Sequence, residues 1–243
     1  MIINSMPRFI PIQKKLRQMA KKEKALTLAR FFKTGPGQYA EGDKFLGVVV
    51  PQIRSLVKKN TDLSLKDILK LVHSPFHEER LLGLLIMVAQ YPLASQEKKQ
   101  QLFKMYIKNT RYINNWDLVD LTAEHIVGAY LEKTNKKIIW QLAKSSNLWE
   151  KRIAILSTFK YIKKGQPDLT LSIAKELMRD KHDLIHKAIG WMLREVGKRC
   201  SQAKEEEFLS QYGRLMPRTA LRYAIERLPT SKKKYFMNLK PMK

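Results

Sequence analysis

The chain has 243 residues, with 47 Lys and Arg against 22 Asp and Glu, which gives a formal net charge of +25. A hydrophobic content of 44% is ordinary for a globular protein and excludes disorder over the whole chain. The positive excess favours a polyanionic partner, either nucleic acid or an anionic membrane surface. Of these two partners, we expect nucleic acid.

Several classes of protein are excluded by what the sequence lacks. No apolar run approaches the roughly 20 residues of a membrane span, and the start MIINSMPRFIPIQKK has no secretory core. Cys200 is the single cysteine, which excludes an intramolecular disulfide and a cysteine zinc cluster. We therefore expect a cytoplasmic protein without membrane association, metal or cofactor.

In chain order, a basic helical stretch from about Pro11 to Lys33 comes first, and a glycine-rich loop, Thr34–Gly47, follows it. The glycines of this loop do not match the dinucleotide fingerprint, and no strand precedes them. A nucleotide pocket is therefore not expected there.

From about Leu63 onward the pattern is helix after helix, without a convincing strand period. The second helices of successive pairs begin 32 to 40 residues apart, a spacing typical of two-helix repeats. We expect an all-α, curved solenoid of HEAT-like repeats forming one domain, with a basic region and loop at 1–62, repeats at 63–230 and a frayed basic tail at 231–243. The predicted helix starts are Ser64, Phe76, Ser95, Trp116, Asn135, Leu148, Asp168, Asp183, Ala203 and Pro217.

Trp191 violates the amphipathic pattern of its helix. At about 100° per residue it falls opposite the core positions. A large ring inside a basic face suits nucleic-acid binding, although packing against an adjacent repeat is the alternative. The predicted core positions are Ile185, Ala188, Ile189, Met192 and Val196, and the basic neighbours of Trp191 are Lys187, Arg194 and Lys198.

Trp116 and Asp120 also point away from the core of their helix, one turn apart on the same side. A carboxylate at the helix N-terminus is a common structural feature, but Asp117 fits that role better than Asp120. Asp120 therefore requires another explanation. The predicted core positions of this helix are Leu118, Val119, Thr122, Ile126 and Ala129.

Three arginines complete the set of candidate residues. Arg152 interrupts an apolar stripe, so either a neighbouring acidic residue pairs with it or it grips a phosphate or orients Asp120. Arg218 and Arg222 are four residues apart and could clamp a phosphate, but a solvated basic face explains them equally well.

These residues resemble the AlkD family of HEAT-like-repeat DNA alkylation repair glycosylases, over about Ala29 to Leu228. Each segment is weak by itself, and together their order and spacing are specific. The segments that carry the resemblance are ARFFK at 29–33, FLGV at 45–48, WDLVD at 116–120, NLWEKR at 147–152 and KAIGWMLRE at 187–195.

The resemblance implies a concave face that holds duplex DNA, and a catalytic cluster at Trp116, Trp191, Asp120 and Arg152. It also implies excision of cationic N3- or N7-alkylpurines without rotation of the base into a pocket. Phe31 stands where the family type has a tyrosine that could touch DNA, and an insertion at Gly35 to Gly42 lies beside it.

The sequence is consistent with two other functional hypotheses. A non-catalytic HEAT-like DNA-structure binder would share the basic groove and have no use for Asp120. A protein-binding HEAT scaffold would explain the repeats but not the charge. A solenoid of this length can work as a monomer, which is the state we expect.

Overall fold

The computed structural model describes residues 8–239, and within this range the chain is helical, with no β-strand and one isolated bridge between Lys44 and Phe76. The chain forms two compact units, one ending at Thr122 and one beginning at Ala123. Within residues 8–239, no helix is both long enough and apolar enough to cross a bilayer.

The first unit is built around a long apolar helix. Its helices are α1 (Phe9–Gln18), α2 (Lys22–Phe31), α3 (Val50–Lys58), α4 (Leu65–Val72), α5 (His77–Gln90), α6 (Gln96–Lys108) and α7 (Trp116–Asp120). Both α3 and α4 pack on α5, and α7 packs against it as well. Because α5 is covered on several sides, its leucines are buried all round rather than along one stripe.

In the second unit, a π-helical turn at Glu124–Gly128 precedes the α-helices. These are α8 (Ala129–Leu131), α9 (Lys137–Ala143), α10 (Leu148–Ser157), α11 (Phe159–Ile162), α12 (Asp168–Leu177), α13 (Asp183–Arg199), α14 (Gln202–Tyr212), α15 (Arg218–Ala224) and α16 (Thr230–Met237). Helix α9 packs with α10, α12 with α13, and α13 with both α14 and α15. The predicted all-α fold of paired helices is confirmed.

Several helices begin directly after a capping residue in the sequence. Ser64, Ser95 and Ser201 each accept a hydrogen bond through Oγ from the backbone N–H three residues later. Asn147 Oδ1 accepts from the backbone N–H of Trp149 at 2.8 Å. Because capping depends on local chemistry, the predicted starts of these helices lie within one or two residues of the observed ones.

Three expectations differ from the structure. The basic stretch up to Lys33 is two helices, α1 and α2, and α3 begins at Val50 where no helix was predicted. The predicted fraying is wrong for Thr230–Met237, which forms α16 because Phe236 is buried. Residues 1–7 and 240–243 lie outside the described residues, and with them Lys240 and Lys243 of the predicted basic tail.

The core of α13 follows the predicted stripe. All five predicted core positions are fully buried, namely Ile185, Ala188, Ile189, Met192 and Val196. Gly190 permits the close crossing of α13 and α15, because a Cβ at this position would lie 2.3 Å from the carbonyl oxygen of Ala220 and 2.4 Å from Cβ of Tyr223. The two helices could not approach so closely with any other residue there.

We expect Gly190→Ala to lower the free energy of unfolding by about 1–3 kcal/mol, because the added methyl forces α13 away from α15. Urea denaturation measures this change. Gly35→Ala is the matched control, since its Cβ would meet only the movable side chain of Gln38. It should change stability by less than about 0.5 kcal/mol. Equal stabilities of the two variants would contradict the close-packing explanation.

Candidate functional site

Helix α7 presents two of the candidate residues on one side. Asn115 Oδ1 accepts from the backbone N–H of Trp116 at 2.8 Å and so begins the helix. Leu118 and Val119 are fully buried, whereas Trp116 and Asp120 are half-buried. The predicted separation of this tryptophan and aspartate from the core side is therefore observed in α7.

The regular helix is shorter than predicted. It ends at Asp120, and a turn and the π-helical segment Glu124–Gly128 follow it. Thr122 and Ile126 are fully buried as expected, but Ala129 is only half-buried. The prediction assumes a regular α-helical period from Trp116 to Ala129. It places Ala129 wrongly on the core side, because the wider π turn shifts the angular register of the residues that follow it.

The indole of Trp116 lies against a stack of aromatic rings. Phe32 stacks on Trp116 at 5.1 Å between ring centroids with an interplanar angle of 24°. Phe45 stacks on Phe32 at 5.1 Å and 15°, and Phe31 meets Trp116 edge to face at 5.9 Å. Phe31 is 61% exposed, which is unusual for a phenylalanine and leaves an apolar ring in solvent beside the indole.

A buried ion network lies behind this stack. His77 donates from Nε2 to Asp117 Oδ2 at 2.8 Å and from Nδ1 to Asp43 Oδ2 at 3.2 Å. Arg80 Nη2 donates to both carboxylate oxygens of Asp43, at 2.6 and 2.8 Å. The side chains of Asp43, His77 and Arg80 are each less than 5% exposed, and that of Asp117 is 10% exposed.

The network favours the charged forms of His77 and Asp43. Burial alone lowers the pKa of His77, but the charge of Asp117 and the hydrogen bonds to Asp117 and Asp43 outweigh burial and raise the pKa from 6.5 to about 9. Burial also acts to raise the pKa of Asp43, but the hydrogen bond from His77 and the charge of Arg80 hold it below 3.8. His77 is therefore an imidazolium at neutral pH.

The glycine-rich loop binds a carboxylate of the protein itself. Glu78 accepts from the backbone N–H groups of Leu46, Gly47 and Val48 at 2.8 to 3.1 Å. Gly47 has φ 82°, and a Cβ there would lie 2.2 Å from the carbonyl oxygen of Lys21, so only glycine fits. Because Glu78 already occupies these three donors, they cannot serve as a phosphate cradle, in agreement with the expectation for this loop.

Sequence reasoning overlooked His77, Asp43, Phe32 and Phe45. A signal was present, because the apolar helix α5 opens with four consecutive ionisable residues, His77 to Arg80, and all four are buried. Charged residues are almost never fully buried unless they are paired. Their presence at the start of an apolar helix indicates a hidden network, although it does not identify the partners.

In the second unit, Arg152 is 4% exposed and donates from Nη1 to the carbonyl oxygen of Leu184 at 2.5 Å. A backbone carbonyl at the start of α13 is thus one partner of this arginine. The contact joins α10 to α13 and holds the guanidinium in a fixed place.

Trp191 is half-buried on α13, and its ring lies 6.1 Å from that of Phe159. Lys163 Nζ lies 4.5 Å from the centroid of Phe159, and the guanidinium carbon of Arg199 lies 5.3 Å from it. Packing against a neighbouring helix, which was the alternative for Trp191, is therefore part of its environment. The two cations lie over the ring of Phe159, which is the neighbour of Trp191.

The predicted DNA-binding cations differ in their surroundings. Lys187 pairs with Asp183 at 2.7 Å, Arg194 pairs with Glu226, and Arg218 donates to the carbonyl oxygen of Met237 at 2.6 Å. Lys198 and Arg222 are exposed to solvent. Arg218 thus holds α16 in place, and its pairing with Arg222 as a phosphate clamp stays a prediction.

Among residues 8–239, no group of three histidine, cysteine or acidic side chains could hold a metal ion. His182 and His186 have structural roles, because His182 Nδ1 accepts from the backbone N–H of Leu184 and His186 Nε2 donates to the carbonyl oxygen of Asp180.

The four candidate catalytic residues are divided between the two units. Trp116 and Asp120 belong to the first unit, and Arg152 and Trp191 belong to the second. Their convergence stays a prediction.

Comparison with known proteins adds two findings. The model of a family described as DNA alkylation repair enzyme matches residues 12–228. Among solved structures, the chain is similar to a protein described as a predicted DNA alkylation repair enzyme from Enterococcus faecalis, with a TM-score of 0.67 at 17% identity. The similarity covers 87% of this chain and 98% of that one, and at this identity it establishes the shared fold. A comparison with curated proteins finds no match.

The ion network predicts a pH dependence of stability. A group whose pKa is raised by folding stabilises the protein fully below its unfolded value and loses this contribution as pH rises through the folded value. For His77 the window runs from pH 6.5 to about 9, and the contribution is about 3 kcal/mol. Urea unfolding of the wild type should show this loss, whereas His77→Gln should be nearly insensitive to pH in the same window. A parallel decline of both proteins would contradict the assignment.

Proposed function

The chain belongs to the family of DNA alkylation repair enzymes, and from this premise we propose that it is a DNA glycosylase. It binds duplex DNA in a basic concave groove and hydrolyses the N-glycosidic bond of cationic N3- or N7-alkylated purines. The observation that carries the proposal is the half-buried pair Trp116 and Asp120, one turn apart on a helix whose intervening residues are buried.

The chemistry explains why so few residues suffice. An alkylated purine that already carries a positive charge is an activated leaving group, so no general acid has to protonate it. What remains is the positive charge that develops on the deoxyribose as the bond breaks. A carboxylate one turn from an indole can stabilise that charge and orient the attacking water, and we assign both roles to Asp120.

The two tryptophans would flank the damaged nucleotide. Their negative π-faces attract a cationic sugar and base. One face of Trp116 is already covered by Phe32, so the indole can offer the DNA its opposite face or its edge. Trp191 would act from the second unit. The exposed Phe31 would contact the DNA by apolar packing, without the hydroxyl of the family's tyrosine.

We assign Arg152 to holding a phosphate or orienting Asp120. Its burial and its bond to the carbonyl oxygen of Leu184 support a fixed position rather than a mobile surface contact. The phosphates of the duplex would meet the surface cations, among them Lys187, Arg194, Lys198, Arg218 and Arg222. We propose that the enzyme acts as a cytoplasmic monomer.

Asp120→Asn tests the catalytic assignment, because it keeps the shape of the side chain and removes the charge. Release of 7-methylguanine in a single turnover should slow by at least about a hundredfold, since the carboxylate acts on charge that exists only near the transition state. Affinity for DNA should hold or rise. Asp67→Asn, which removes a carboxylate near the start of α4, is the matched control. If Asp120→Asn released the base at the wild-type rate, Asp120 would not be catalytic. If the wild type released no base, the non-catalytic DNA-structure binder would be favoured.

Trp191→Ala should impair both DNA affinity and excision, because stacking contributes before the bond breaks as well as during the reaction. Trp140→Ala is the matched control, since Trp140 is also half-buried but lies on α9. A titration with methylated duplex and a single-turnover assay measure the two effects. Loss of excision at unchanged affinity would contradict the stacking role.

Lys198→Ala should weaken binding to all duplex sequences by a similar factor, because phosphate contacts position the protein without reading bases. The slope of log affinity against log salt should become shallower by about one unit per lost contact. Lys66→Ala is the control, because it removes an equally exposed charge from α4. If the affinity fell only for particular sequences, direct base readout would replace phosphate contact as the explanation. A binding affinity without salt dependence would favour a protein-binding scaffold.

A further inference from the structure

We propose that His77 is a positioning residue that sets the orientation of Trp116 through Asp117 and the aromatic stack. The inference rests on the glycosylase site proposed above and identifies how the chain holds one wall of it. His77 does not reach solvent, since its side chain is only 2% exposed. It can act on the site only through the groups that it contacts.

The first path from His77 to Trp116 is a chain of hydrogen bonds. His77 Nε2 donates to Asp117 Oδ2 at 2.8 Å, while Asp117 Oδ1 accepts from the backbone N–H of Leu118 at 2.9 Å. Asp117 is the residue directly after Trp116. The imidazolium therefore fixes the first turn of α7, from which the indole projects.

The second path is a set of packed rings. The imidazole centroid lies 4.5 Å from that of Phe45 and 5.1 Å from that of Phe32. Phe32 in turn lies 5.1 Å from the indole of Trp116. A movement of His77 would therefore be transmitted to Trp116 from two directions, through the backbone of α7 and through the ring beneath the indole.

The charges of the network balance only if His77 carries a proton on both nitrogens. Asp43 and Asp117 are two carboxylates in a buried region, and Arg80 supplies one positive charge to Asp43. With His77 as imidazolium the network has two charges of each sign. Each ring nitrogen then donates to a carboxylate, which fixes the ring in one orientation.

A merely stabilising role would not require this arrangement. Burying ions costs desolvation energy, so a buried network is weak evidence for stability, and a unique geometry is the better-attested benefit. Helix α7 has only five residues and cannot fix its own orientation, so its contacts must do so. A catalytic wall needs this accuracy, because a displacement of about 1 Å can cost about a hundredfold in rate.

The experiment compares His77→Gln with Glu79→Gln. Glu79 is equally buried on α5, but its carboxylate pairs with Arg17 of α1 at 2.6 Å and accepts from Gln13 and Ser74. The indole N–H resonance of Trp116 is followed by ¹H–¹⁵N NMR and assigned by its loss in Trp116→Phe. Single-turnover excision and binding of undamaged duplex are measured on the same proteins, at a temperature where all are folded.

In His77→Gln, the Trp116 resonance should shift more than those of the other three tryptophans, and excision should slow by about tenfold or more. Affinity for undamaged duplex should stay within about twofold, because the surface cations are unchanged. Glu79→Gln should lower stability but leave the Trp116 resonance and the excision rate near their wild-type values.

An unmoved Trp116 resonance in His77→Gln, or an equal shift in Glu79→Gln, would overturn the proposal. If His77→Gln does not fold, Asp43→Asn replaces it, since this variant keeps the His77–Asp117 pair and removes the carboxylate charge that holds Nδ1 of the imidazolium. A shift of the Trp116 resonance and a slowing of excision in the same direction are expected. If the wild type releases no base while the resonance shifts as described, the glycosylase assignment fails and the positioning of Trp116 by His77 stands.

Discussion

The first unit depends on the burial of four consecutive ionisable side chains at the start of α5. Their partners lie on three parts of the chain: His77 bonds to α7 and to the glycine-rich loop, Glu78 and Arg80 to that loop, and Glu79 to α1. Charges so deeply buried are tolerated only when every one is paired. This condition fixes where a loop and two short helices must lie, and the aromatic stack beneath Trp116 follows from it.

The excess of basic over acidic residues is a separate feature from this buried network. With 47 basic and 22 acidic residues, a net charge of +25 remains even if every acid has a basic partner. In the second unit many acids are held by lysines, as in the pairs of Lys151 with Asp180, Lys163 with Glu124 and Lys204 with Asp168. Exposed ion pairs of this kind, such as that of Lys204 with Asp168, add little stability. If the chain binds DNA as proposed, these pairs also neutralise negative charges that would repel the phosphates.

The sequence predicts those features that depend on neighbours in the chain. The fully buried stripe of α13 and the caps at Ser64, Ser95 and Asn147 follow from periodicity and local hydrogen bonding. The stack of Phe45, Phe32 and Trp116 does not, because residues so far apart in sequence meet only through tertiary packing. The same holds for Arg152, whose burial was evident from its stripe but whose carbonyl partner, at Leu184, lies on another helix.

Glu78 binds Leu46, Gly47 and Val48, which form the base of the glycine-rich loop. The part of the loop before this base forms its tip. The tip closes on itself, since the N–H of Gly42 bonds to the carbonyl oxygen of Thr34 at 3.3 Å. The entropy of closing a loop grows slowly with its length. Evolution, or a protein engineer, can therefore lengthen this tip or insert a reporter domain into it, while Arg80 at Asp43 and Glu78 at Leu46 to Val48 hold the segment that carries Phe45.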